Sequence, residues 1–419
     1  MDRRSFTALV TGAVSTSLLG AAARAAAPSG RVALYASAGP RLTHYEVDVE
    51  GASLTRRATV SLPSGLQYAW PHPSRPFLYA STSDAGPGGV RPPGSSHWLC
   101  ALRIGADGAL SLHGEPRPLP SRPINNSLDG AGAYALTCYN DPPNVTVHPI
   151  LADGTLAPAV EQARLELGVY PHQIRATPSN RSVVVVARGN PPAGERPGDQ
   201  GALRLFGFSG GRLSPLASIA LGGGAGHSYG PRHLDFHPTR PWAYVAVETQ
   251  NQLHMHRLQG DGLEPRPAWV LPTTATPPPA GRNQVAGAIH VHPRGHVLYV
   301  ANRASGSADF GGRRVFAGGE NTIAVFALDP ATGEPRLIQH VDVEGIHART
   351  FSVDPSGRLL VAAHASAMAV REGDQVRTVP AGLSLFRIAD DGRLSFVRKY
   401  EVELGADQQL WAGFVPLRA

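Results

Sequence analysis

The chain has 419 residues, rich in glycine (47) and proline (38), and a formal net charge of +6. That charge does not describe a nucleic-acid binder: of 38 basic residues Lys399 is the only lysine, and the arginines are dispersed, with no basic run and no aromatic-interleaved basic stripe. Heptad repeats and apolar runs of membrane-spanning length are missing, which excludes a coiled coil and a spanning helix.

The N-terminus reads as an export signal. Arg3-Arg4-Ser5-Phe6 precedes a mildly apolar stretch from Ala8 to Gly20, then Ala23-Arg24-Ala25 with small residues at cleavage-like positions. Residues 1–25 are therefore expected to be a twin-arginine leader, with Asp2 and Thr7 departing from the usual pattern. The expected destination is the periplasm or the medium, and an ordinary export leader would change only the route. The only cysteines, Cys100 and Cys138, could pair in an oxidising compartment, but two cysteines leave that open.

Residues 31–419 form the predicted folded domain. Val32–Ser37 has the pattern of the second strand of a hairpin whose first strand is missing, and Tyr45–Val49 and Thr55–Leu62 follow as outer strands. Hairpins then recur, each with two apolar runs around a turn: His72-Pro73-Ser74-Arg75, Thr177-Pro178-Ser179-Asn180, His237-Pro238-Thr239-Arg240, His292-Pro293-Arg294-Gly295 and Asp354-Pro355-Ser356-Gly357. A degenerate copy, Leu128-Asp129-Gly130-Ala131-Gly132, lacks the proline. Successive centres stand 57, 48, 60, 55 and 62 residues apart, by subtraction of 73, 130, 178, 238, 293 and 355. Such spacing suits four-stranded propeller blades of roughly 40–50 residues enlarged by insertions. Asp-Gly turns at Asp107-Gly108, Asp153-Gly154, Asp261-Gly262 and Asp391-Gly392 mark the corner between third and fourth strands. The C-terminal run Leu410–Val415 supplies the strand missing at the N-terminus. The fold class predicted is all-β, a seven-bladed β-propeller whose ring is closed by N- and C-terminal strands in one blade.

Four insertions, Asp84–His97, Gly189–Gln200, Ala304–Glu320 and Ala365–Pro380, follow the second strand of a hairpin and so share one rim. Two repeat positions face the same rim. Six residues before each turn proline stand Gln67, His172, Arg232, Gly287 and Arg349; ten after it stand Ser83, Arg188, Glu248, Arg303 and Ala365. Any one of these charges could be a blade-to-blade ion pair or a solvated group. Four arginines converging on one mouth repel, however, and Glu248 alone cannot neutralise them, whereas an anionic ligand would. A histidine beside a carboxylate can do acid–base work near neutral pH, and arginines can stabilise an oxyanion. No Gly-x-Ser-x-Gly elbow and no His-Glu-x-x-His motif occurs, and His44, His113, His254 and His256 lack ligand spacing. Water activated without a metal or other cofactor is the mechanism these residues suggest.

From about Val32 to Val415 the chain resembles the seven-bladed propeller lactonases, which group cycloisomerase-type 6-phosphogluconolactonases with the fungal 3-carboxy-cis,cis-muconate lactonising enzyme. The resemblance rests on Tyr170-Pro171-His172, Gly230-Pro231-Arg232-His233 with Glu248, Leu298–Arg303 and Asn321–Gly333. It implies an active site of His172, Arg232, Glu248 and Arg303. His233, Arg349, Arg188 and Asn302 are the substrate-binding candidates beside them, and a small anionic lactone is the expected partner. Departures are Arg188, where the family often has an acidic residue, and Ala348-Arg349-Thr350, where it has Pro-Arg-Asn. The expected activity is metal-independent hydrolysis of a sugar-type lactone. The alternatives are a muconate-type cycloisomerase and a non-catalytic propeller that binds an anionic ligand or a protein. Replacing Glu248 by glutamine is expected to lower turnover and spare the fold.

Overall fold

Every regular element of the computed structural model, which describes residues 30–86, 94–222, 229–277 and 283–418, is a β-strand. The leader, residues 1–25, lies outside the described residues, as do 87–93 of the first insertion. The strands make seven antiparallel sheets of three to five strands, with two further two-stranded hairpins. First strands of neighbouring sheets lie side by side around a central channel, as in a seven-bladed propeller.

Ring closure follows the predicted pairing. Val32–Ala38 pairs with Ala412–Pro416, in a register that sets Ala36 opposite Ala412 and Leu34 opposite Phe414. The Ser37 hydroxyl accepts from the backbone N–H of Leu410 at 3.2 Å and Trp411 at 3.1 Å, extending the join by two residues. Arg41–Asp48 and Ser53–Ser61 complete this blade, slightly offset from the predicted strands.

Second strands such as Ser182–Ala187 and Trp242–Val247 are buried along their whole length. Both faces of a blade pack on neighbouring blades, which is why these runs are continuously apolar rather than alternating. The turn residues tie blades together. The Nδ1 of His237 accepts from the backbone N–H groups of Thr239 and Arg240, and its Nε2 meets Gly295 O of the next blade at 2.8 Å. His72 and His292 repeat the contact with Gly132 and Gly357. The Asp-Gly corners receive a second tie, because Tyr35, Tyr79 and Tyr299 donate to the carbonyls of Gly108, Gly154 and Gly392. The His-Pro and Asp-Gly signals are thus inter-blade clasps as well as turns.

The third blade departs from four strands. It holds only Pro123–Leu128, Tyr134–Asn140 and Pro143–Pro149. Ala157 and Val160 still donate to Pro149 O and Val147 O, but Pro158 between them has no N–H and no regular strand forms. Two insertions also do more than loop. Ser307–Phe310 pairs with Arg313–Phe316 and Met368–Glu372 with Gln375–Val379, and the two hairpins meet where the Arg371 guanidinium lies 4.0 Å over the Phe310 ring. Cys100 and Cys138 are separate, buried free thiols, and burial pushes the Cys100 thiol up to about 12.

Candidate active site

The side chains at the mouth are aimed by a repeated backbone irregularity. Outside the closing blade each first strand slips register at one point: between Leu66 and Tyr68, Pro171 and Gln173, Pro231 and His233, Ala286 and Ile289, and Ala348 and Thr350. In the third blade the slip passes over Ile124. A bulge leaves one residue out of the ladder and turns its side chain away from the sheet. The residues left out are Gln67, Ile124, His172, Arg232, Gly287 with Ala288, and Arg349. All five of the predicted first-position residues therefore share a geometric cause. Gly287 is the exception in chemistry, since a Cβ there would stand 3.0 Å from Arg303 Nε; its absence gives Arg303 room.

Four of these residues, Ile124, His172, Arg232 and Arg349, line a cavity of about 550 Å³ together with Arg188, Glu248, Arg303 and Ala365 from the second-strand ends. Gln67 and Ser83 line a separate smaller cavity on the side of the closing blade. Glu248 is the hub. Its carboxylate accepts from Arg188 Nη1 at 3.1 Å and Arg303 Nη2, with Arg232 Nε at 3.3 Å. Burial would raise this carboxyl, but Arg303, Arg232 and Arg188 together hold it below its usual range, so it is ionised.

His172 is buried, with its Nδ1 lacking any hydrogen-bond partner. Burial first, then Arg232, His233, Arg188 and Arg349, drive its pKa well below the ordinary value. It is a neutral imidazole in the free protein. Arg349 forms no ion pair among the described residues, and burial, Arg303 and Arg122 lower its pKa to about 9.

Two predicted residues sit away from the cavity lining. His233 is not part of the lining; its Nδ1 accepts from Arg232 Nη1 at 3.3 Å, and its ring stands edge-on to the His172 ring at 5.2 Å between centroids. Asn302 is fully buried, and its Nδ2 donates to Thr273 O at 2.6 Å and Thr322 Oγ1 at 3.1 Å. Alternation along the strand explains this: Arg303 points to the mouth, so its neighbour points into the blade interface.

Sequence reading missed His347 and gave Tyr170 no role. Both line the cavity and have left-handed backbone, φ +57° and +56°. His347 Nε2 stands 3.2 Å from Arg303 Nη1, and the Tyr170 ring carries the Arg188 guanidinium at 4.0 Å. The available signal is position: each stands two residues before a bulged residue, where the fifth blade has Gly230. Non-glycine residues held in this conformation mark functional sites more often than elsewhere.

The comparisons with known proteins agree with this architecture. Residues 31–371 match the family described as Lactonase, 7-bladed beta-propeller. The chain belongs to that family. Among its curated relatives, a 6-phosphogluconolactonase of Bacillus subtilis is 27% identical over 348 residues, covering 80% of this chain and 87% of the relative. One from Yersinia pestis is 26% identical over 321 residues, 76% of this chain and 82% of its own. Among solved structures, the periplasmic gluconolactonase of Pseudomonas aeruginosa superposes with a TM-score of 0.68 at 21% identity, over 93% of this chain and all of the other, a likeness of fold. Among the described residues no three His, Cys, Asp or Glu side chains converge as metal ligands, and no helix is long and apolar enough to cross a membrane. What the lactonase family's mouth offers here is a neutral imidazole among guanidinium groups, one carboxylate organising three of them.

Proposed function

We propose that this chain hydrolyses a sugar-type lactone bearing a negative charge, and that His172, Arg232, Glu248 and Arg303 carry the reaction. The observation that supports it most directly is the charge imbalance at the cavity: Arg188, Arg232, Arg303 and Arg349 face a single carboxylate, Glu248. Neutral His172 takes a proton from water as the water oxygen bonds to the ring carbonyl carbon. The carbonyl oxygen becomes an oxyanion, held by guanidinium donors of Arg232 or Arg303. When the ring C–O bond breaks, the proton on His172 passes to the departing ring oxygen, leaving a hydroxy acid. Glu248, held by three arginines, is a weak base, and its part is to fix the guanidinium groups in place. A mouth with surplus positive charge repels a divalent cation, which fits a metal-independent route. The names of the curated relatives and of the periplasmic structural neighbour support a sugar lactone as the substrate class.

The deciding experiment is hydrolysis of a lactone panel by purified residues 31–419, followed by pH-stat. Turnover of a gluconolactone-type substrate supports the reading; inertness toward every sugar lactone, with lactone formation from a muconate-type diacid, would replace it by the cycloisomerase.

Export by the twin-arginine route is the second part of the proposal, carried by Arg3-Arg4-Ser5-Phe6. Replacing Arg3 and Arg4 by lysine should trap the uncleaved chain in the cytoplasm, read by fractionation and immunoblot. Unchanged export of that variant would assign the leader to the general secretory route.

A further inference from the structure

Six blades place a second set of residues at the mouth, two positions before each bulged residue. It comprises Gly65, Arg122, Tyr170, Gly230, Val285 and His347 in the six blades whose first strand is bulged, and Gln408 reaches the mouth just ahead of the unbulged closing strand Ala412–Pro416. Tyr170, Val285, His347 and Gln408 line the main cavity. Arg122 occupies the equivalent position in the third blade, beside the lining residue Ile124.

Arg122 is 9% exposed, and its Nε and Nη2 are buried without a hydrogen-bond partner. The hydroxyl of Ser121 beside it is likewise unpartnered. Neither Arg122 nor Arg349 has a carboxylate as ion-pair partner among the described residues, and Glu248 is engaged by Arg188, Arg232 and Arg303. Burial lowers the Arg122 pKa, with Tyr170 opposing, and Arg122 in turn lowers that of Arg349, so the two cations feel one another. Two buried guanidinium groups that repel each other and lack a counter-ion weaken the free protein. A bound oxyanion beside them offsets that repulsion.

Resting on the lactonase reading above, we infer that Arg122 and Arg349 form a separate anion subsite, which holds a phosphate-ester or carboxylate group carried by the lactone away from its reacting carbonyl. The cations in and beside the cavity then divide by task. Three are held by Glu248 around His172, and two are left open for the substrate's own charge. Arg122 becomes a specificity-determining residue, selecting a charged sugar lactone over its neutral counterpart.

The test compares Arg122→Gln with the parent on three substrates: glucono-δ-lactone, its 6-phosphate, and a sugar lactone bearing a carboxylate. The parent should prefer one or both charged lactones, and which one identifies the group held. In the variant the ratio of kcat/KM for the preferred charged lactone to that for the neutral one should fall on the order of 10–100-fold, the size of a lost charge-assisted hydrogen bond. A parent that prefers the neutral lactone, or an equal loss on both kinds of substrate, overturns the subsite. Thermal unfolding with inorganic phosphate gives an independent readout. Phosphate should raise the parent Tm, while Arg122→Gln should raise the phosphate-free Tm and shrink the phosphate response. A lowered Tm with an unchanged phosphate response would make Arg122 a structural residue. Should the parent hydrolyse no lactone at all, the lactonase reading falls, yet the phosphate response still judges the subsite.

Discussion

His172→Ala is expected to reduce lactone turnover by about 10²–10⁴-fold, the range for loss of a general base. The side chain lines the cavity, forms no ion pair, and leaves its buried Nδ1 unpartnered, so its removal takes little from the fold. The pH profile supplies a sharper check. A base acts only when neutral, and burial with Arg232, His233, Arg188 and Arg349 holds the His172 pKa well below the ordinary value of 6.5. In the free enzyme the acid limb of kcat/KM should therefore lie well below pH 6.5. A bound anion offsets those arginines and makes protonation of His172 easier. The acid limb of kcat, which reports the complex, should then lie at higher pH than that of kcat/KM. Wild-type turnover in His172→Ala would defeat the assignment, and coincident limbs would show that the bound substrate leaves the arginine field at His172 unchanged.

Glu248→Gln should cost about 3–5 kcal/mol of stability, measured by urea unfolding, because it leaves Arg188, Arg232 and Arg303 in a buried mouth without a negative partner. This reverses what the sequence suggested, that the isosteric change spares the fold. The reason is burial: Glu248 has about 7% of its side chain exposed, and it is the only acidic group that the three guanidinium groups share. Inorganic phosphate, as a substitute anion, should recover part of the loss. The pH dependence has a definite sign. The folded carboxyl titrates below its ordinary value of 4.5, so its contribution is present above that value and is lost as pH falls through the folded pKa. The gap between parent and variant should be constant near neutrality and close in acid below about pH 4.5. A variant as stable as the parent at pH 7 would show that the arginines are hydrated rather than held by Glu248.

Much of the candidate site could be read in one dimension. His172, Arg232 and Arg349, and Arg188, Glu248 and Arg303, are found by counting from a turn proline, because a repeat puts equivalent residues at equivalent heights on the channel wall. Counting failed where the side chain's direction was decided locally. Asn302 lies beside Arg303, but strand alternation sends it to Thr273 and Thr322. His233 follows the bulge, rejoins the ladder and is left out of the cavity lining. Tyr170 and His347 reach the mouth through left-handed backbone, which has no periodic signature in an apolar pattern.

The sequence by itself determined the seven blades, the closure of Val32–Ala38 on Ala412–Pro416 and the rim on which charge gathers. These depend on turn chemistry and apolar spacing, which act between residues close in the chain or at equivalent repeat positions. Only the tertiary structure decided how the charges pair. Arg188, Arg232, Glu248 and Arg303 come from three different blades, and which guanidinium reaches the one carboxylate depends on distances across the channel. The same holds for what is left over, since Arg122 and Arg349 have no ion-pair partner among the described residues while Arg188, Arg232 and Arg303 share Glu248. Coulomb energy at these sites varies with separation and burial, and neither quantity is written in the spacing of the repeats.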